Sequence, residues 1–188
     1  MARRELSIDV DGTLANSVKL VLRKLDREEG VRLSMGQVTR YNISKVSGVP
    51  KPRIKRMWEE SWEDPREVPL ISSRIPAVIS GLKREFRIKI LTGSIVDDQT
   101  IKRWLRLNGI HYDSFEKVSD WSMKPGRAGD IHIDDHFSVS EAFARSRKRM
   151  ILLEQPWNRG RNGVWKGHEY IRVARNWPHI ERILSAEA

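Results

Sequence analysis

The sequence contains no cysteine. Disulfide staples, thiolate metal sites and a cysteine nucleophile are therefore excluded, and any metal must rely on oxygen or histidine donors. It also lacks an apolar run long enough to cross a bilayer, so no membrane partner is expected. The opening Met-Ala-Arg-Arg leads into a strand pattern instead of the apolar segment of a signal peptide, which predicts a cytoplasmic location. Internal repeats and low-complexity stretches are missing too. What is present is an ordinary globular composition of 188 residues, 39% hydrophobic and 32% charged. That is enough apolar surface to offset the ordering entropy of one core with a modest insertion.

Acidic residues are outnumbered: 25 Asp and Glu stand against 35 Lys and Arg, a formal net charge of +10. Much of the excess falls late, with nine Lys or Arg against two Glu between residues 145 and 175. Such a field attracts phosphate-bearing small molecules and nucleic acid alike, and charge alone does not choose between them.

Periodicity separates strands from helices. Leu6 to Val10, Phe86 to Leu91, Phe115 to Val118, Ile131 to Ile133 and Met150 to Leu153 read as strands. Helical spacing runs from Ser17 to a stop at Gly30, follows Ser34, and resumes from Pro50 to Trp62 and from Ile75 to Lys83. It returns around Ile101, Trp104 and Leu105, around Val139, Ala142 and Phe143, and around Trp177, Ile180 and Leu184. This alternation predicts an α/β fold, a parallel sheet covered by helices, with functional residues at the carboxyl ends of its strands. Asp9 with Asp11, Thr92, and Asp134 with Asp135 each follow a strand and converge on that edge. Asp9 and Thr92 lie 83 positions apart, while a strand-helix-strand unit needs roughly 30. Residues 17–69 are accordingly expected to be a helical insertion.

Alternation along an extended chain turns Asp9 and Asp11 to one side. Two carboxylates sharing a pocket call for a cation, and a sulfur-free acidic site suits Mg2+, with Asp134 as the third oxygen ligand. An aspartate can attack phosphorus to form an acyl phosphate, the role expected of Asp9. Asp11 is placed to protonate the leaving oxygen and then to activate water. Thr92 and the amide of Gly93 would donate to phosphoryl oxygens, and Lys124 would balance charge. Asp135 would position Lys124 or a metal-bound water. His132 and His136 flank the acidic pair, but Mg2+ prefers oxygen. Trp58 and Trp62 lie in the insertion, within possible reach of a nucleobase.

Asp9-Val10-Asp11-Gly12-Thr13, Thr92, Lys124 and Asp134-Asp135 resemble, in order, the four motifs of haloacid dehalogenase (HAD) superfamily phosphatases. The resemblance implies a Rossmann-like three-layer fold, Mg2+ and an aspartyl-phosphate intermediate. It also implies a catalytic core of residues 1–16 and 70–188, with residues 17–69 as a small cap after the first strand. More narrowly, Ile133-Asp134-Asp135 and the Glu154-Gln155-Pro156-Trp157-Asn158 loop after the last strand resemble the 5'(3')-deoxyribonucleotidase branch. That match implies a nucleoside monophosphate or similar small phosphate ester as substrate. Two alternatives stay open: a basic nucleic-acid-binding protein with a vestigial site, and a phosphotransferase with an acceptor other than water.

Overall fold

The computed structural model describes residues 3–186, and in them six strands form one wholly parallel sheet. These are β1 (Arg4–Ile8), β2 (Phe86–Thr92), β3 (Ser114–Lys117), β4 (Ile131–Asp134), β5 (Arg149–Leu153) and β6 (Ile171–Ala174), in spatial order β3-β2-β1-β4-β5-β6. The helices are α1 (Ser17–Glu29), α2 (Ser44–Ser47), α3 (Lys51–Glu60), α4 (Ile75–Leu82), α5 (Asp98–Leu107), α6 (Lys124–Arg127), α7 (Phe137–Arg145) and α8 (Trp177–Ser185).

Parallel strands are covered on both faces, and β5 shows how its sequence allows this. Met150 and Leu152 pack with Phe137, Val139 and Phe143 of α7, while their neighbours Ile151 and Leu153 join the larger core lined by α4, α5 and α8. Successive side chains thus serve opposite layers. The expected α/β, Rossmann-like three-layer architecture is the one observed. The strand order reverses between β1 and β4, and in sheets of this kind that switch point opens a crevice at the carboxyl ends. Asp9 directly follows β1 and Asp134 ends β4, so the order of the strands alone sets these two acids side by side.

Two expectations need correction. Met150–Leu153 is not the last strand, because Ile171–Ala174 adds β6 at the sheet edge, and the Glu154–Asn158 loop lies between the two. That four-residue segment contains Arg172, which hides its apolar alternation. The helix expected after Ser34 is only a single 3-10 turn, Met35–Gln37, closed by a Ser34–Gln37 capping box, with the short α2 further on. None of the helices among the described residues is long and apolar enough to cross a membrane.

The chain leaves the sheet layer after Asn16 and returns at Pro69, where the Asn16 N–H donates to the Pro69 carbonyl (2.7 Å) and the Ile71 N–H to that of Leu14 (2.8 Å). Between these points α1 buries Val18, Val21, Leu22 and Leu25, spaced along one face, and stops at Gly30, whose φ of +66° suits a residue without a Cβ. Those side chains meet Val38, Ile43, Val49, Ile54 and Met57 in an apolar cluster separate from the main core. Lys24 with Glu60 (3.1 Å) and Arg53 with Glu28 (2.6 Å) tie α1 to α3 at the surface. Trp62 is excluded from the insertion's free surface: it is buried in the main core, edge-on to Trp104 at 5.7 Å.

Candidate active site

The carboxyl edge at the switch point carries a compact buried polar cluster. The Lys124 ammonium donates to Asp9 Oδ1 (2.7 Å) and to Asp134 Oδ2 (2.6 Å), and all three side chains are almost wholly enclosed. Lys124 opens the short α6, whose Pro125 occupies the first turn, where a missing N–H costs nothing. The Asp9 N–H donates to the Ile133 carbonyl (2.9 Å), which locks the end of β1 against β4. Asp130 lies at the other end of the sheet, accepting from the Glu5 N–H (2.7 Å), and takes no part.

Asp135 stands on the far side of the cluster. Its Oδ2 accepts from Trp157 Nε1 (2.7 Å) and its Oδ1 from the Thr13 hydroxyl (3.2 Å). A Cβ added to Gly12 would come within 2.5 Å of Asp135 Oδ2, and Gly12 also has φ +77°, so this position demands glycine on both counts. The expected bond from Asp135 to Lys124 is not formed, because Thr13 and Trp157 hold the carboxylate.

Asp9, Asp134 and Asp135 each offer a carboxylate oxygen within 4.8 Å of the others, forming the group able to hold a metal among the described residues. Two of the expected ligands, Asp9 and Asp134, lie in this group together with Asp135, while the Asp11 carboxylate lies outside it. The Asp11 carboxylate instead accepts a bond from the Ser17 hydroxyl (2.6 Å) at the start of α1. On β2, Ile90 pairs with Ile8, so Thr92 falls level with Val10, in the strand beside Asp9. Its Oγ1 accepts from the Ser94 N–H (3.1 Å), forming the tight turn through Gly93, which is exposed at the edge.

Electrostatics follow from burial. It pushes Asp9 up to about 7, against the pull of Lys124 and with the further push of the Asp134 charge. Burial, then the Asp134 and Asp9 charges, push Asp135 well above the usual carboxylate range. Burial also raises Asp11, opposed by the Ser17 and Ser94 hydroxyls. Asp134 goes the other way: burial would raise it, but Lys124 and His132 outweigh that and hold it below the ordinary value. Three enclosed carboxylates with one ammonium leave an excess of negative charge. An all-oxygen donor set of that kind fits a hard divalent cation.

Several solved structures superpose on the chain at low identity. A haloacid dehalogenase-like family hydrolase from Streptococcus pneumoniae is 14% identical with a TM-score of 0.65, over 99% of each chain. A HAD-type chain from Bacillus subtilis, bound to magnesium, is 17% identical with a TM-score of 0.61, over 98% of this chain and 99% of that one. The chain shares the fold of these haloacid dehalogenase-like structures. CbbY from Rhodobacter sphaeroides, in complex with phosphate, is 17% identical with a TM-score of 0.56, over 94% of this chain and 95% of that one. No protein-family model matches the chain, and no curated protein does.

On this fold further residues join the cluster: some the sequence named without these roles, such as His132, Thr13 and Trp157, and others, such as Ser17 and Tyr41, that it did not single out. His132, fully buried, pairs its Nε2 with Asp134 Oδ2 (3.1 Å) and its Nδ1 with the Ser7 hydroxyl (2.9 Å) while stacking on Phe143. Ser17, Thr13 and Trp157 hold Asp11 and Asp135. Tyr41, from the insertion and largely exposed, sets its ring edge-on to His136 at 3.9 Å. Ser17 carries a weaker signal, as a small polar residue at a helix start just after the acidic loop.

Proposed function

We propose that this chain is a magnesium-dependent phosphomonoester hydrolase working through an aspartyl-phosphate on Asp9. The observation that carries the reading is the Lys124 ammonium shared by Asp9 and Asp134, within a buried group of three carboxylates at the switch point. The phosphate- and magnesium-bound structures of the same fold are consistent with it. Asp9 and Asp134, with Asp135 beside them, would hold Mg2+, which when bound neutralises charge on the phosphoryl oxygens.

An Asp9 oxygen attacks phosphorus and the ester P–O bond breaks, while Asp11 gives its proton to the leaving oxygen. The acyl phosphate is then cleaved by a water whose proton Asp11 takes back, which releases phosphate and restores the Asp9 carboxylate. The raised affinity of Asp11 for its proton suits the first of these duties. Lys124 opposes protonation of Asp9 and holds it in line, and Thr92 with the Gly93 amide receives the phosphoryl oxygens.

Residues 17–69 act as the cap over this core. The space between them and the Asp11–Gly12 loop, lined by Tyr41, Trp58 and Trp157 among others, is only about 10 Å3, too small for any substrate. Entry therefore requires the cap to lift. The substrate is a nucleoside monophosphate or a similar small phosphate ester, the reading supported by the resemblance of Ile133-Asp134-Asp135 and Glu154–Asn158 to the deoxyribonucleotidase branch. The test is phosphate release from an aryl phosphate and from a nucleotide panel with Mg2+. Asp9→Asn is expected to lower turnover ~10^4-fold or more while the chain stays folded; turnover retained in that variant overturns the mechanism.

A further inference from the structure

The late excess of positive charge is not spent on the catalytic cluster. Part of it rings a separate cavity of about 470 Å3 beside the edge strand β6. One wall is the 3-10 segment Arg159–Trp165 with Lys166 and Gly167, and the other is β6 with Arg172 and Arg175, closed by His179 on α8. None of the proposed catalytic residues lines it.

Four cationic residues, Arg159, Lys166, Arg172 and Arg175, line the cavity together with a single carboxylate, Glu154, which Arg159 engages at 3.0 Å. Arg172 donates to the His168 carbonyl. Lys166 and Arg175 are exposed and have no ion-pair partner among the described residues. Two further lining residues hold buried polar atoms without a partner: the side-chain oxygen of Asn162, a residue only 8% exposed, and the indole nitrogen of Trp165. Buried polar atoms are almost always satisfied, so an orphan acceptor and an orphan donor at one cationic cavity indicate a missing bonding partner. Asn162 is not loose, since its amide donates to Asn158 Oδ1 (3.0 Å) and Asn158 in turn to the Asp135 carbonyl (2.8 Å).

We propose that this cavity is a second binding site for a small phosphate-bearing molecule of nucleotide size, distinct from the catalytic cluster. The cations take the phosphate, as guanidinium and ammonium groups do. Trp165 gives its N–H to an acceptor on the ligand, and Asn162 accepts from a hydroxyl or amino group, so the ligand carries both an anion and a neutral donor. The volume lies within the range of small-molecule pockets. The cations also line a concavity, which favours a compact ligand over a nucleic-acid strand tracking a groove.

The seven tryptophans supply the assay. Their indole N–H signals are resolved by nitrogen-15 NMR, with Trp165 and Trp157 assigned by Trp→Phe variants. Trp165 reports this cavity, and Trp157, bonded to Asp135, reports the catalytic cluster. Inorganic phosphate, then a nucleoside monophosphate on the Asp9→Asn chain, is expected to move the Trp165 signal to saturation. The paired change Lys166→Gln and Arg175→Gln should raise the half-saturation concentration tenfold or more and leave the Trp157 response intact. Arg159→Gln serves as an independent second variant, with the remaining indole signals as the check on folding. A stationary Trp165 signal, or an unchanged midpoint in both variants, overturns the proposal. So does an oligonucleotide that saturates the signal far below the mononucleotide, which assigns the face to nucleic acid. Because the readout is binding at Trp165, loss of the phosphatase reading leaves the result interpretable.

Discussion

The sheet edge and the helical insertion stabilise themselves by different means. At the edge, buried carboxylates and an ammonium are held by short bonds from Lys124, Thr13, Ser17 and Trp157. In the insertion, α1 and α3 rest on an apolar cluster centred on Val21, Leu25 and Met57, with ion pairs only at its rim. Exposed pairs of that kind contribute about 0–1 kcal/mol each, so the insertion depends on its apolar contacts. The edge resists distortion, because any displaced group becomes an unpaired buried charge; the insertion is anchored to it at its two ends, by Ser17 on Asp11 and Trp62 in the main core, and between these anchors it has no such obstacle.

The sharpest way to break this contrast is at its electrostatic centre. Lys124→Met removes the one ammonium shared by Asp9 and Asp134 and leaves two buried carboxylates facing each other. Loss of one partner in a buried ion pair costs about 3–5 kcal/mol. Urea unfolding without metal should record that loss, and Mg2+ should restore more stability to the variant than it adds to the parent chain. If the variant is as stable as the parent and indifferent to Mg2+, the three carboxylates do not form a cation site.

In the insertion the comparable change is apolar. Met57 is fully buried in the α1–α3 cluster, and truncation of such a residue costs about 2–5 kcal/mol. Met57→Ala should accelerate amide exchange in α1 and α3 roughly 100-fold, the equivalent of about 3 kcal/mol, while exchange in β1 and β4 stays near its original rate. Equal acceleration in all four elements would show that insertion and sheet open together, and the distinction between a movable cover and a rigid edge would fall.

The sequence exposed one side of this contrast more readily than the other. Asp9 and Asp134 were legible because they stand at the ends of strands in a parallel sheet, and Lys124, which opens α6, only through its order ahead of Asp134. Asp135 was legible as a position but not in its bonds. Thr13 lies 122 positions away and Trp157 22, and no periodicity links residues that meet only after folding. Asp11 was placed beside Asp9 by the alternation of an extended chain. Its bond to Ser17 was not legible, because β1 ends at Ile8 and Asp11 lies in the loop that brings it to the start of α1. The insertion showed its helices through spacing, but its closure depends on turns around Ser34 and Gly48 that carry little apolar signal.

Trp157 is where the two regions meet, and it gives the smallest but most selective test. Its ring belongs to the insertion's apolar cluster, while its N–H holds Asp135. Trp157→Phe keeps most of the apolar surface and removes the hydrogen bond. An acceptor deprived of its donor in a buried site costs about 1–3 kcal/mol, so global stability should fall by that amount. Amide exchange in α3 should change little, unlike in Met57→Ala, because the cluster retains a ring in the same place. The outcome against the scheme is a rise in α3 exchange matching that of Met57→Ala. It would mean that the cap is held down through the Asp135 bond, so that lifting the cover and disturbing the carboxylate are one event.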